Sequence, residues 1–115
     1  MEARQLTSSA RLILSYAGAH TSVPLEGLVS FAIGGSPECG LRLELPFVSR
    51  CHARIERHRQ YFMLIDESSN GTFVRSEDET VCHVHRSAFR LWGAGMLSFG
   101  QPFSIESVVR FEHLE

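Results

Sequence analysis

The punctuation of this chain restricts it to one class of fold. Glycine and proline recur roughly every 8 to 12 residues, and the stretches between them are short and rich in β-branched and aromatic side chains. No convincing amphipathic helix longer than about two turns can be read in it. A helical period can be forced on Ser104 to Phe111, but the β-branched content there argues for a strand. Arg11–Tyr16 reads as the first strand, followed by Thr21–Leu25 and Leu28–Ile33 on either side of a tight Glu26-Gly27 turn. Gly34-Gly35-Ser36-Pro37 stops the third strand, and Pro46 ends the short Leu41–Leu43 strand. From Cys51 to Arg57, alternation puts Cys51, Ala53 and Ile55 on one face and His52, Arg54 and Glu56 on the other. Tyr61–Ile65 is apolar on both faces, as a strand inside a sandwich is, so Tyr61, Phe62 and Met63 are expected in the core. Arg57–Gln60 is a polar hairpin-length link before it. Thr72–Val74, Val81–Val84, Phe89–Trp92, Met96–Phe99 and Phe103–Val109 complete the set. The expected fold is an all-β sandwich of two antiparallel sheets with about ten to eleven short strands, its loops gathered at the two ends. Residues 1–113 form one expected domain with 1–9 as a flexible start, and Leu114-Glu115 are set aside as an expression scar.

Composition removes several functions. A chain of 115 residues supports one core, and 13 acidic against 11 basic side chains leave a net charge of −2. That surface lacks the counterion-releasing charge that bulk nucleic-acid binding needs. The longest apolar runs, Gly93–Leu97 and Tyr61–Ile65, are far too short to cross a bilayer, and no hydrophobic leader opens the chain. Cys39, Cys51 and Cys82 are an odd set without CxxC spacing, so no disulfide framework is expected and the reducing cytoplasm is the expected setting. His83 and His85 share a strand face but would need partners from elsewhere to hold zinc, so neither metal nor cofactor is expected. All 11 basic residues are arginine. Genome composition explains that most simply; arginine's bidentate fork for phosphate or carboxylate is the alternative.

Two loops carry the chemistry. Phe47-Val48-Ser49-Arg50-Cys51-His52 and Asp66-Glu67-Ser68-Ser69-Asn70-Gly71-Thr72 each lead into a strand, where a scaffold places binding groups. A phosphoryl group offers about −1.5 to −2 charges and three acceptor oxygens. The Ser49 and Ser69 hydroxyls, the Asn70 amide, loop N–H groups and the Arg50 guanidinium are all donors. Catalysis is poorly served, because adjacent Asp66 and Glu67 diverge on an extended chain. Ser49, His52 and Asp66 could be written as a triad, but Gly-x-Ser-x-Gly is absent and nothing sets His52 against Ser49.

The stretch Ile33–Gly100 resembles the forkhead-associated (FHA) domain, a phosphothreonine-peptide-binding β-sandwich. The resemblance is carried by Ile33-Gly34, Val48-Ser49-Arg50-Cys51-His52-Ala53-Arg54-Ile55 and Asp66-Glu67-Ser68-Ser69-Asn70-Gly71-Thr72-Phe73-Val74. It implies that Ser49 bonds the phosphate, that Arg50 lies beside it, and that Ser69 adds a second hydroxyl or backbone contact. Asn70 would hold the peptide backbone, and Phe47 would bias the residue chosen downstream of the phosphothreonine. Gly34, His52, Gly71 and Thr72 would support the site, His52 by bracing both loops from beneath. The implied partner is a threonine-phosphorylated protein or peptide.

Two departures from the family pattern stand out. Its Gly-Arg pair reads Gly34-Gly35 here, which removes a guanidinium that usually approaches the ligand; Arg42, Arg50 or Arg54 would have to compensate. A hydrogen bond to a charged group contributes about 1.5–3 kcal/mol, or one to two decades of affinity. Its Gly-Asp turn near the end reads Ala94-Gly95, where a local change of turn geometry is expected. The alternative reading is therefore a degenerate FHA scaffold used for phosphate-independent interaction or for self-association as a homodimer. Arg54, Arg57, His58 and Arg59 are expected to form a solvated face, and Phe89, Trp92, Phe99 and Phe103 to be core or rim.

Overall fold

Alternation of apolar side chains along short strands gives each sheet one face to bury, and the two buried faces meet. In the computed structural model, which describes residues 10–23, 30–59 and 61–114, eleven strands form β1(Arg11–Tyr16), β2(Ala19–Val23), β3(Ser30–Gly34), β4(Leu41–Arg42), β5(Ala53–His58), β6(Tyr61–Asp66), β7(Thr72–Arg75), β8(Val81–Val84), β9(Ala88–Leu91), β10(Ala94–Phe99) and β11(Val108–Leu114). The expected flexible start, the Glu26-Gly27 turn, Gln60 and Glu115 lie outside the described residues. One sheet has six strands in the order β2-β1-β11-β10-β7-β8, and the other has five in the order β4-β3-β5-β6-β9. Pairing is antiparallel except between β3 and β4, where Ile33 and Gly34 run parallel to Leu41 and Arg42. Leu12, Leu14, Val74, Leu97, Phe99 and Val109 from the larger sheet meet Ile33, Ile55, Phe62, Leu64 and Leu91 from the smaller one.

Several expectations change. Cys51 is exposed and His52 is fully buried, the reverse of the expected faces. Strand alternation starts only at Ala53, because residues 50 and 51 lie in a turn and the His52 N–H is already bonded to the Ile33 carbonyl at 2.9 Å. Phe62 is core, but Tyr61 and Met63 lie on the outer face of β6, where the Arg90 guanidinium covers the Tyr61 ring at 4.6 Å. That face is half-shielded by long side chains, so it admits apolar residues without being core. Ala94 and Gly95 open β10 and pair with Glu112 and Phe111, so the turn falls at Gly93 (φ 67). Of the expected Phe103–Val109 strand only Val108 and Val109 are strand, as the start of β11. Ser104 accepts backbone bonds from Ser107 and Val108 instead, and the Ser98, Ser104 and Ser107 hydroxyls interlock over the outer face of β10. Leu114 belongs to β11, paired with Arg11.

The registers place the ends of β3, β6, β8 and β10 beside the starts of β5, β7, β9 and β11. The loops 35–40, 43–52, 67–71, 85–87 and 100–107 therefore share one end of the sandwich.

Candidate functional site

The first site loop hangs from a turn. Pro46 presets the backbone angle for a turn closed by the Val48 N–H on the Leu45 carbonyl at 3.2 Å. Beyond it the chain is laced to the end of β3: Gly35 N–H donates to Ser49 O at 2.9 Å and Ser36 N–H to Arg50 O at 3.1 Å. Gly34 makes that approach available. A Cβ there would sit within the contact radius of the Arg50 carbonyl and 2.9 Å from the His52 nitrogen, both backbone atoms unable to swing aside.

The second loop folds on itself through Asp66. Its carboxylate accepts from the Ser68 N–H at 3.1 Å, the Ser68 hydroxyl at 2.9 Å, the Thr72 hydroxyl at 2.7 Å and the Arg86 N–H at 2.9 Å. Ser68 in turn accepts the Gly71 N–H at 2.7 Å, and Gly71 takes a left-handed φ of 85 that suits glycine. Burial of Asp66 pushes its pKa up, but the bonds from Arg86, Thr72 and Ser68 together outweigh it and hold the carboxyl below its usual range. Asp66 is thus an ionised anchor with its lone pairs spent.

His52 joins the loops. Ser49 N–H donates to its Nδ1 at 3.0 Å, so Nε2 carries the proton and donates to the Gly71 carbonyl at 2.8 Å. That carbonyl also accepts the Gly100 N–H at 2.9 Å. Burial lowers the His52 pKa, opposed by the Gly71 bond and by Asp66, and the imidazole is neutral. The Phe99 ring meets it edge-on at 5.3 Å. No Ser49–His52–Asp66 triad is formed: His52 receives the backbone N–H of Ser49 rather than its hydroxyl.

Above this frame the expected binding residues converge. Ser69 N–H reaches the Ser49 Oγ at 3.4 Å, and among the described residues the Ser49 hydroxyl donates to no acceptor of its own. Arg50 is exposed, and among the described residues its guanidinium has no hydrogen-bond or ion-pair partner. Ser69 and Asn70 are exposed as well; the Asn70 amide donates one N–H to the Phe47 carbonyl at 3.3 Å, and half-exposed Phe47 sits at the rim. The two arginines that flank this site in the sheet, Arg42 and Arg54, are already engaged. Arg54 is held by Glu56 at 3.0 Å and by Glu67, and Arg42 bonds the Gly35 carbonyl at 3.0 Å and Glu44 at 3.1 Å.

Three contributors escaped the sequence reading. Ser68 is the buried hinge of the second loop, but neighbouring Ser69 gives the same sequence signal. Arg86 caps the loop with its own N–H on Asp66 and its Nε on the Ser68 carbonyl at 3.1 Å. His83 donates to the Asn70 carbonyl at 3.0 Å while its ring lies 4.5 Å from that of Phe73. Only the alternation of Val-Cys-His-Val, which turns His83 outward on β8, hinted at the last.

Comparison with known proteins identifies the fold that carries these loops. The family model described as FHA domain matches residues 31–87, the span from β3 to the loop after β8 that holds both site loops. No curated protein sequence matches the chain. Among solved structures, Mycobacterium tuberculosis Rv1747 FHA-1 superposes with a TM-score of 0.73 at 19% identity, over 92% of this chain and 98% of that one. The N-terminal FHA domain of S. cerevisiae Rad53p, in complex with a phosphothreonine peptide, gives a TM-score of 0.67 at 16% identity over 91% of each chain. The FhaA FHA domain complexed with the intracellular domain of Rv3910 gives 0.67 at 24% identity, over 90% of this chain and all of that one. With an eleven-strand sandwich and a matched span that carries both loops, the chain belongs to the FHA-domain family.

Proposed function

We infer that this domain binds phosphothreonine peptides and recruits a phosphorylated protein partner through Ser49, Arg50, Ser69 and Asn70. The observation that carries the reading is the Ser69 N–H brought to the Ser49 Oγ at 3.4 Å from a loop 20 residues away in sequence, with Ser49 next in the chain to Arg50, whose exposed guanidinium has no partner among the described residues. A phosphate entering there gains a bidentate cation and hydroxyl and N–H donors held in place by a buried frame, so little ordering is left for binding. The Rad53p domain that shares this fold holds a phosphothreonine peptide. Domain function of this kind is recruitment rather than catalysis, and the frame fits it: Asp66 and His52, the residues with acid–base chemistry, are both used up as structural bonds.

The test is titration of matched peptides carrying phosphothreonine, phosphoserine or threonine, repeated on Ser49→Ala and Asn70→Ala. Phosphothreonine should bind at least tenfold better than threonine and lose most of that margin in Ser49→Ala. Equal binding of the phosphorylated and plain peptides sinks the reading.

A second reading, a scaffold that binds partners or itself without phosphate, is favoured by Gly35. The side chain the family places there is absent, and Arg42 and Arg54 are tied to Glu44, Glu56 and Glu67. Light scattering that shows a mass rising with concentration, together with phosphate-independent binding, would select it.

A further inference from the structure

The end of the sandwich away from the phosphate loops holds a notch of about 310 Å³ between the edges of the two sheets. Strands β8 and β9 are each the last strand of their sheet, so nothing among the described residues pairs beyond them. Cys82 on β8 and Phe89 on β9 point inward but stay half-buried, because the sandwich opens at this edge. They form an apolar floor. Trp92, 59% exposed just after β9, forms one wall, and the loop 76–80 forms the other with Glu77 and Asp78. The Glu77 carboxylate hangs over Gly93, within 2.9 Å of where a side chain would begin there, and among the described residues it has no ion-pair partner. Asp78 is fixed by the Thr80 N–H at 3.0 Å, and that bond holds its carboxyl ionised below the usual range. Its neighbour Glu79 is already neutralised by Arg75 at 3.4 Å.

The geometry points to a second binding site here, for an arginine side chain presented by a peptide segment of a partner protein. An apolar floor, an indole wall and two carboxylates at the mouth match a side chain with an aliphatic stem and a cationic, planar end. A purely apolar side chain would leave the carboxylates facing it, and an acidic one would be repelled. The domain itself shows the same affinity on the outer face of β9, where Arg90 lies over the Tyr61 and Trp92 rings at 4.6 and 5.4 Å and so covers one face of the indole. The notch and the phosphate loops lie at opposite ends of β7 and β8, separated by about four residues at roughly 3.4 Å each. Occupation of one leaves the other open, so the two could read two features of one partner.

Trp92 is the only tryptophan in the chain, so intrinsic fluorescence reports on this wall, and because Arg90, Gly93 and His113 border the indole as well, the paired substitution at Glu77 and Asp78 assigns a change to the notch. The probe is a blocked, unphosphorylated Leu-Arg-Leu peptide titrated against the intact domain, with citrulline in place of arginine as the uncharged isostere. Binding is expected to be saturable, about three- to tenfold weaker for the citrulline peptide, and weakened by a similar factor between 0.05 and 0.5 M salt. Glu77→Gln with Asp78→Asn should lower affinity about as much, while keeping the Thr80 bond and the shape of the loop. Because the probe carries no phosphate and the variants avoid Ser49 and Asn70, failure here leaves the phosphothreonine reading untouched. No saturable change in Trp92 emission, equal response to citrulline, or indifference to the paired substitution would each overturn the assignment.

Discussion

Replacing His52 with alanine tests whether the two site loops share a single support. The side chain is fully buried, and its removal strips the partner from two backbone groups at once, the Ser49 N–H and one of the two bonds to the Gly71 carbonyl. Gly71 keeps the Gly100 bond, so its loss is the smaller. A buried group left unsatisfied costs about 1–3 kcal/mol, and the ring volume beside Phe99 adds a cavity contribution of similar size. The expected destabilisation is about 3–5 kcal/mol by urea unfolding followed by far-ultraviolet circular dichroism, a large part of a typical domain's 5–15 kcal/mol. Acid has a related effect. Burial keeps the folded imidazole neutral while the unfolded one protonates near its ordinary 6.5, so the unfolded state binds the extra proton. Stability is therefore full above about 6.5 and falls as pH drops below it toward the depressed folded value. Asp66 is also depressed, so its share is present above its ordinary 3.8 and fades only as pH falls through its lower folded value. The native domain should lose stability first in the range below 6.5, and His52→Ala should flatten that first decline. A loss under 1 kcal/mol, or an unchanged pH slope in the variant, would refute the shared support.

Four further outcomes follow from the same geometry. Gly34→Ala forces a methyl onto the Arg50 carbonyl and should cost at least about 2 kcal/mol by thermal or urea unfolding, with weaker phosphopeptide binding, whereas an innocuous Gly34→Ala would mean that the two loops are not clamped. Gly35→Arg meets nothing nearer than the Leu43 carbonyl at 3.6 Å, so stability should stay within about 1 kcal/mol while phosphothreonine affinity rises about tenfold by calorimetry. An unchanged affinity would mean that Arg50 already supplies the charge. Ser68→Ala orphans the buried Gly71 N–H and removes a bond from Asp66, so a loss of about 1–3 kcal/mol is expected, with Ser69→Ala much milder in the same unfolding assay. Arg54→Met should leave phosphopeptide affinity within about twofold, because that guanidinium is taken up by Glu56 and Glu67; a tenfold loss would place it at the ligand.

Strand content was legible wherever a strand has one wet face, because apolar alternation is imposed by burial alone: Arg11–Tyr16 and Val81–Val84 fall where the pattern put them. The pattern failed where another interaction overrides it. His52 is polar yet fully buried because two backbone groups need its nitrogens, and Cys51 is apolar yet exposed because a turn carries it outward. Ser104–Ser107 looks like strand by residue type, but three interlocked hydroxyls make it a turn. Tyr61 and Met63 look like core until Arg90 is seen to cover that outer face of β6. The site loops were recognisable as motifs through their resemblance to the FHA pattern, since serines, asparagine and glycine by themselves also mark an ordinary turn. The neighbours that complete them, Arg86 and His83, come from a different part of the chain and share no spacing with the motifs.

The support beneath the loops divides the motif into two kinds of residue with different fates. Gly34, His52, Asp66, Gly71 and Thr72 are held in place by the cost of unfolding, whatever the domain binds. Ser49, Arg50, Ser69 and Asn70 give the fold only light contacts, and a descendant that abandoned phosphate could drift at all four without collapsing. A chain that shows the first set alone has declared its architecture and nothing about its trade. In the proposed function, it is the outward four that speak to what is bound.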